Sequence, residues 1–341
     1  MLPKDACHAM DIKENKLLDV FKFVAALLIL ASHCLPLVQN DSFNFYYGQW
    51  FFRFCVPLFF ISSGFFFTSF SQKTKLKYIK RIAVLYLISN LIYLPQYATR
   101  DLGATLRNLI LGYYHLWYLS ALLIALILCY FLEKAFAFRA VRKSYPFLIA
   151  VLILIGAFYD EYQAVFTGLR DTALASGIGE WVEWLGGARH ALFFALPMIL
   201  IGKFLYEYRE KIRLSSPMCL LLLAASFLLS LLECMMLRHF GGPYITNDIT
   251  LVNYFPAVFL FLLSFSLRPQ ALEARNTRTL RKVSDIVYVS HVLVMVVVGS
   301  LWELSYLPRL AVVTLLSVAV SRLYVKLEHV IKSGFRELCN R

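Results

Sequence analysis

Long apolar runs recur about every thirty residues along the whole chain, separated by short polar or turn-forming stretches. A bilayer-crossing helix needs about 20 mostly apolar residues, and ten runs reach or approach that length. They lie at about 17–38, 50–70, 78–96, 115–133, 145–160, 188–206, 217–237, 249–267, 284–302 and 306–326. The pattern predicts an all-α integral membrane protein, a single bundle of about ten transmembrane helices within one domain, 1–341. The run at 145–160 is short and ends on Asp160-Glu161, and only a tight turn at Pro308 separates the last two runs. The first run is too long for a signal-peptide core, contains Lys22 and has no small-residue cleavage site after it, so it reads as a helix. Residues 161–187 read as an outer loop, and Trp181, Trp184, Glu180 and Glu183 suit an interfacial helix or a lid within it.

Composition supports the same class. Hydrophobic residues make up 60% of the chain and charged residues only 16%, whereas a soluble domain holds about 25% charged residues. The net charge of +13 would suit nucleic acid, but its distribution argues otherwise. With the N-terminus in the cytoplasm and cations near span ends counted with the adjoining segments, 26 of the 34 Lys and Arg fall in inner segments, six in outer segments and two, Lys22 and Arg53, within spans. That bias predicts cytoplasmic termini and basic loops facing an anionic leaflet, with no nucleic-acid partner. The seven cysteines form no C-x-x-C pair and no even outer set, so neither a disulfide framework nor a metal site is expected.

Candidate chemistry lies in polar residues at membrane depth. An ionisable group there costs about 2.5–3.5 kcal/mol on insertion scales and usually faces a bundle interior or a wet cavity. Lys22 and His33 are eleven residues apart, which on a helix returns almost to the same face about 16 Å further along. Asp19 lies one turn below Lys22 on an adjoining face. Arg53, His115 and Arg189 begin the second, fourth and sixth runs at the outer mouth, and His291 lies in the inner half of the ninth. Each has a plainer reading. Arg53, His115 and Arg189 suit interfacial anchors, Lys22 can snorkel inward, and His291 can simply bond a neighbouring helix. Pro57 and Ser62-Ser63-Gly64 can kink the second helix or admit a close neighbour.

Taken together, these motifs resemble the acyltransferase 3 family, polytopic membrane enzymes that acylate cell-surface glycans. Asp19-x-x-Lys22 followed by His33 resembles its first helix, which usually has Arg where this chain has Lys22. Arg53-Phe54-Cys55-Val56-Pro57-Leu58-Phe59-Phe60 with Ser63-Gly64 looks like its second-helix motif. His115-Leu116-Trp117-Tyr118-Leu119, Arg189-His190 and Tyr288-Val289-Ser290-His291 look like three further motifs, in order along nearly the whole chain. Lysine at position 22 lacks the planar guanidinium fork, and His190 stands where Asn often follows the Arg. The sequence ends at 341 without the hydrolase-like domain that some members append, so no relay to such a domain is expected.

The resemblance implies a bacterial inner-membrane O-acyltransferase. Acyl-CoA, best taken as acetyl-CoA, would be a co-substrate rather than a bound cofactor, and the acceptor would be a hydroxyl of an envelope glycan or exopolysaccharide. His33, Arg53 and Arg189 are the catalytic candidates, Lys22 and Asp19 the donor-binding ones, and His115, Trp117 and His291 support the acceptor side. General-base and acyl-histidine routes are both open, as is the oligomeric state. The alternatives are a small-solute carrier, like the membrane part of serine racemases, or a glycan or lipid flippase. Against a carrier, Asp19 and Asp285, both near the inner edge, are the acidic residues read within spans.

Overall fold

The structure is a computed structural model that describes residues 15–136, 139–166, 168, 172–241, 248–267 and 269–339, and no strand occurs among them. Its helices are α1 (Lys16–His33), α2 (Asp41–Tyr46), α3 (Cys55–Ser69), α4 (Gln72–Tyr97), α5 (Leu102–Leu111), α6 (Trp117–Phe136) and α7 (Arg139–Asp160), followed by α8 (Ala173–Trp184), α9 (Leu196–Glu207), α10 (Ser216–Gly241), α11 (Tyr254–Ser266), α12 (Gln270–Glu273), α13 (Arg278–Leu301) and α14 (Tyr306–Cys339). Local signals set several starts. The side chains of Asn15, Asn40, Asp101 and Thr172 accept from Leu18 N, Phe43 N, Ala104 N and Ala175 N at 2.8, 2.8, 3.1 and 3.3 Å, satisfying first-turn donors that a helix leaves unpaired.

Among the described residues, five helical stretches are long and apolar enough to cross a membrane: Asp41–Ser69, Tyr114–Glu133, Ser216–Gly241, Arg278–Leu301 and Tyr306–Glu328. Every other predicted run also contains a helix, but charge or length sets it apart. Helix α1 carries Lys16, Asp19 and Lys22, and α4 carries five cations in its first three turns. Ser144–Asp160 and Tyr254–Ser266 are apolar but short.

Boundaries differ from expectation in three places. The first helix stops at His33 rather than continuing to 38. The second run is entered through α2 and a π-helical turn, Tyr47–Phe51. The sixth begins with a π-helical turn, Ala191–Ala195, before α9. The segment read from the sequence as an outer loop, 161–187, contains α8, whose Trp181 and Trp184 are exposed.

The described chain forms two compact units: residues 56–266, and residues 15–55 with 267–339. In the first, α3 carries much of the core. Phe60 meets Tyr118 and Phe194 at ring distances of 4.7 and 5.7 Å, and Phe65 meets Phe261 at 5.1 Å. Helices α3 and α9 cross backbone to backbone. A Cβ on Gly64 would lie 2.7 Å from Ile199 Cα, and one on Gly202 would lie 2.7 Å from Phe65 N. Small residues that let helices approach this closely are typical of membrane crossings. Pro57 falls in the first turn of α3, where a missing amide is tolerated, so it breaks no helical bond. In the second unit α1 packs along α13, and α13 pairs with α14.

Candidate active site

Helices α1 and α13 run parallel, and polar side chains join them at three levels. At the first level Asp19 is buried and accepts from Arg281 Nε at 2.9 Å, Arg281 NH2 at 3.2 Å and Thr277 Oγ1 at 2.7 Å. Next, Ser284 Oγ donates to the Lys22 carbonyl at 3.2 Å. At the far end the His33 and His291 rings lie 5.1 Å apart, tilted by 41°.

His291 is buried, and its Nδ1 lies 2.7 Å from Tyr288 O and 3.1 Å from Val287 O. Two carbonyls can only accept, so Nδ1 carries the hydrogen, and in the neutral ring Nε2 is the acceptor. The sequence placed His33 and His291 at different depths, but the seam brings them together. Asp19, grouped with Lys22 in the sequence reading, gives its carboxylate to Arg281 and Thr277.

Arg53 belongs to the same unit, between the Tyr47–Phe51 turn and α3. It donates to Gln49 Oε1, and its guanidinium carbon lies 5.0 Å from the Phe52 ring centre. The segment after His33 is tied from two sides. Arg309 NH2 donates to the carbonyls of Cys34 and Leu35, the latter at 2.9 Å. Asn44 Oδ1 accepts from Leu37 N at 2.9 Å, and its Nδ2 donates to Val38 O at 2.7 Å.

The remaining candidates lie in the first unit. Gly112 (φ 91°) and Tyr114 (φ 47°) turn the chain sharply before α6. That turn directs His115 inward, where it is buried and meets the Tyr93 ring edge-on at 4.8 Å. Trp117 stacks on Phe194 at 6.1 Å, and the half-exposed Arg189 lies 5.0 Å over the Trp117 ring. Arg189 also pairs with Asp248 at 2.6 Å. His190 is buried, with Nε2 3.0 Å from Leu111 O.

The acyltransferase domain model of the acyltransferase 3 family matches residues 15–325. The chain belongs to the acyltransferase 3 family. Among curated proteins it is similar to an amino-acid racemase of Enterococcus faecalis, 30% identical over 60% of this chain and 30% of that protein. A serine/alanine racemase of Enterococcus gallinarum is 28% identical over 75% of this chain and 37% of that protein. A further Enterococcus faecalis amino-acid racemase is 26% identical over 86% and 42%. The chain thus spans less than half the length of each of these relatives. No solved structure matches it.

In this acyltransferase 3 member, sequence reasoning passed over Glu233, which lies within the 217–237 run and is buried. It corrects the reading that only Asp19 and Asp285 are acidic residues within spans. Glu233 accepts from Tyr162 OH at 2.5 Å, Leu251 N at 2.7 Å and Val252 N at 3.0 Å. Asp160 Oδ2 accepts from Ile249 N at 2.6 Å. Two carboxylates therefore fix the backbone just beyond Asp248, the partner of Arg189. The lone carboxylate in an otherwise apolar run was the available signal. Arg281, Thr277 and Arg309 were also missed. They looked like loop residues, and only the packing of α1 against α13 and α14 gives them partners. Among the described residues no group of three His, Cys, Asp or Glu is placed to hold a metal ion.

Proposed function

We propose that this acyltransferase moves an acyl group, acetyl in the simplest case, from cytoplasmic acyl-CoA to a hydroxyl of an envelope glycan on the outer side of a bacterial inner membrane. The observation that carries the reading is the His33–His291 pair at the end of the α1–α13 seam. In this reading ten helices span the bilayer, both termini are cytoplasmic, and Lys22 lies along the path of the donor's pantetheine arm. His33 acts as general base. The acceptor oxygen attacks the thioester carbon while its proton passes to His33. The tetrahedral oxyanion collapses, the carbon–sulfur bond breaks, and the CoA thiolate leaves and takes up that proton. Arg53, in the same unit as His33, supplies a cationic donor to the oxyanion. With Nδ1 held by backbone carbonyls, His291 keeps Nε2 as the acceptor nitrogen of a ring 5.1 Å from that of His33.

The relatives are named as racemases of amino acids, which supplies an amino acid as the ligand of a second reading, in which the bundle carries a small amino acid across the membrane. Sealed vesicles loaded with labelled acetyl-CoA separate the two. Transfer of label to an external glycan supports the acyltransferase, whereas acetyl-CoA-independent uptake of serine or alanine with no transfer supports the carrier.

A further inference from the structure

We propose that Arg309 is a positioning residue for His33, an inference that rests on the catalytic reading of His33. His33 is the last residue of α1, so no further helical turn holds it in place. Its backbone leads directly into the Cys34 and Leu35 carbonyls, and both accept from Arg309 NH2. A cation over carbonyls beyond a helix C-terminus is also favoured by the helix dipole.

The origin of Arg309 gives the clamp its consequence. Arg309 lies in the first turn of α14. A four-residue connection, entering α14 through Tyr306 at φ 53°, joins that helix to α13, which carries His291. Arg309 therefore fastens the end of α1 to the hairpin that holds the second imidazole. One guanidinium spanning two carbonyls restrains both the distance and the direction of the His33 ring. Asn44 fixes the far half of the same segment by itself, so loss of Arg309 frees the residues next to His33 while the entry into α2 stays anchored. The role is geometric, because Arg309 is assigned no contact with either substrate.

Two variants, R309Q and R309K, test this in purified, reconstituted full-length protein. A catalytic group displaced by about 1 Å loses roughly 10²-fold in rate. R309Q is therefore expected to lose one to two decades of kcat while KM for acetyl-CoA stays within about twofold. R309K keeps a donor and a charge, and should recover a substantial part of the loss. Hydrogen exchange read without turnover should rise in R309Q at Cys34 and Leu35, stay unchanged at Leu37, which Asn44 still holds, and change nowhere in residues 56–266. The exposed Arg107→Gln should change neither measurement. Wild-type kcat in R309Q, a loss confined to KM, or no rescue by lysine in well-folded protein would each overturn the positioning role. If the wild-type protein transfers no acyl group, the acyltransferase reading fails separately. Unchanged exchange in R309Q then overturns the clamp itself.

Discussion

Asp19 and Arg281 face each other across the α1–α13 seam with two hydrogen bonds, 2.9 Å to one carboxylate oxygen and 3.2 Å to the other. Thr277 Oγ1 adds a third donor at 2.7 Å. The carboxylate is buried and the guanidinium is partly exposed, so solvent screens the pair, and its coupling is about 1 kcal/mol. A double-mutant cycle of Asp19→Asn and Arg281→Gln, read from unfolding in detergent, should return a coupling of that size. If Asp19 instead served chiefly to bind the donor, Asp19→Asn would raise KM for acyl-CoA with no coupling to Arg281.

The crossing of α3 and α9 gives the clearest stability prediction. A methyl at Gly64 or Gly202 meets backbone atoms, which cannot rotate away. Overpacking typically destabilises by about 1–3 kcal/mol, and both Gly64→Ala and Gly202→Ala should lie at or above the upper end. Gly299→Ala meets nothing within 4 Å and should be neutral or gain up to about 1 kcal/mol from helix propensity. Comparable losses at all three positions would remove the crossing as the explanation.

Glu233 bonds Tyr162, Leu251 and Val252, so its removal leaves buried donors unpaired. Glu233→Ala should lose at least about 2 kcal/mol and Glu233→Gln roughly half of that. Burial first and the neighbouring carboxylate second push the Tyr162 hydroxyl above the ordinary phenol range. A pKa raised in the folded state stabilises below the unfolded value, so this contribution is intact at neutral pH and lost only above about pH 10. A thermal-stability profile that falls more steeply above about pH 10 in wild type than in Tyr162→Phe, with the two parallel below it, would bear this out.

Much of the fold was legible because membrane helices announce themselves by length and apolarity, and the predicted runs each contain a helix. The interruptions were not. Nothing in the apolar pattern marks the end of α1 at His33, because Cys34, Leu35 and Leu37 continue the hydrophobic run. The local stop signal is Pro36, which has no amide to continue the helix and disfavours helical backbone at Leu35, and Arg309 and Asn44 then bond the segment that follows. The site was legible in its residue types and hidden in its pairing. His33 and His291 were both visible as costly side chains, but eleven- and three-residue spacings within single helices carry no information about which helices pack together. Tyr162–Glu233 and Asp19–Arg281 were invisible for the same reason.

The His33–His291 pair carries the sharpest functional prediction. Loss of a general base typically lowers the rate by 10²–10⁴-fold, so His33→Ala should lose at least about two decades of transfer with normal membrane insertion. His291 acts through His33 in this reading, so His291→Ala should cost less, about tenfold, and should add almost nothing to His33→Ala. Independent roles would make the two losses multiply. The sign of the pH effect follows from the chemistry. A base must be unprotonated to accept the acceptor's proton, so wild-type transfer should fall as pH is lowered, and the residual activity of His33→Ala should not follow that curve. Lys22→Leu separates donor binding from this step. It should abolish saturation by acyl-CoA, and Lys22→Arg should preserve it. Transfer at the wild-type rate in His33→Ala would end the catalytic assignment of the pair, and multiplicative losses in the double variant would end its reading as one unit.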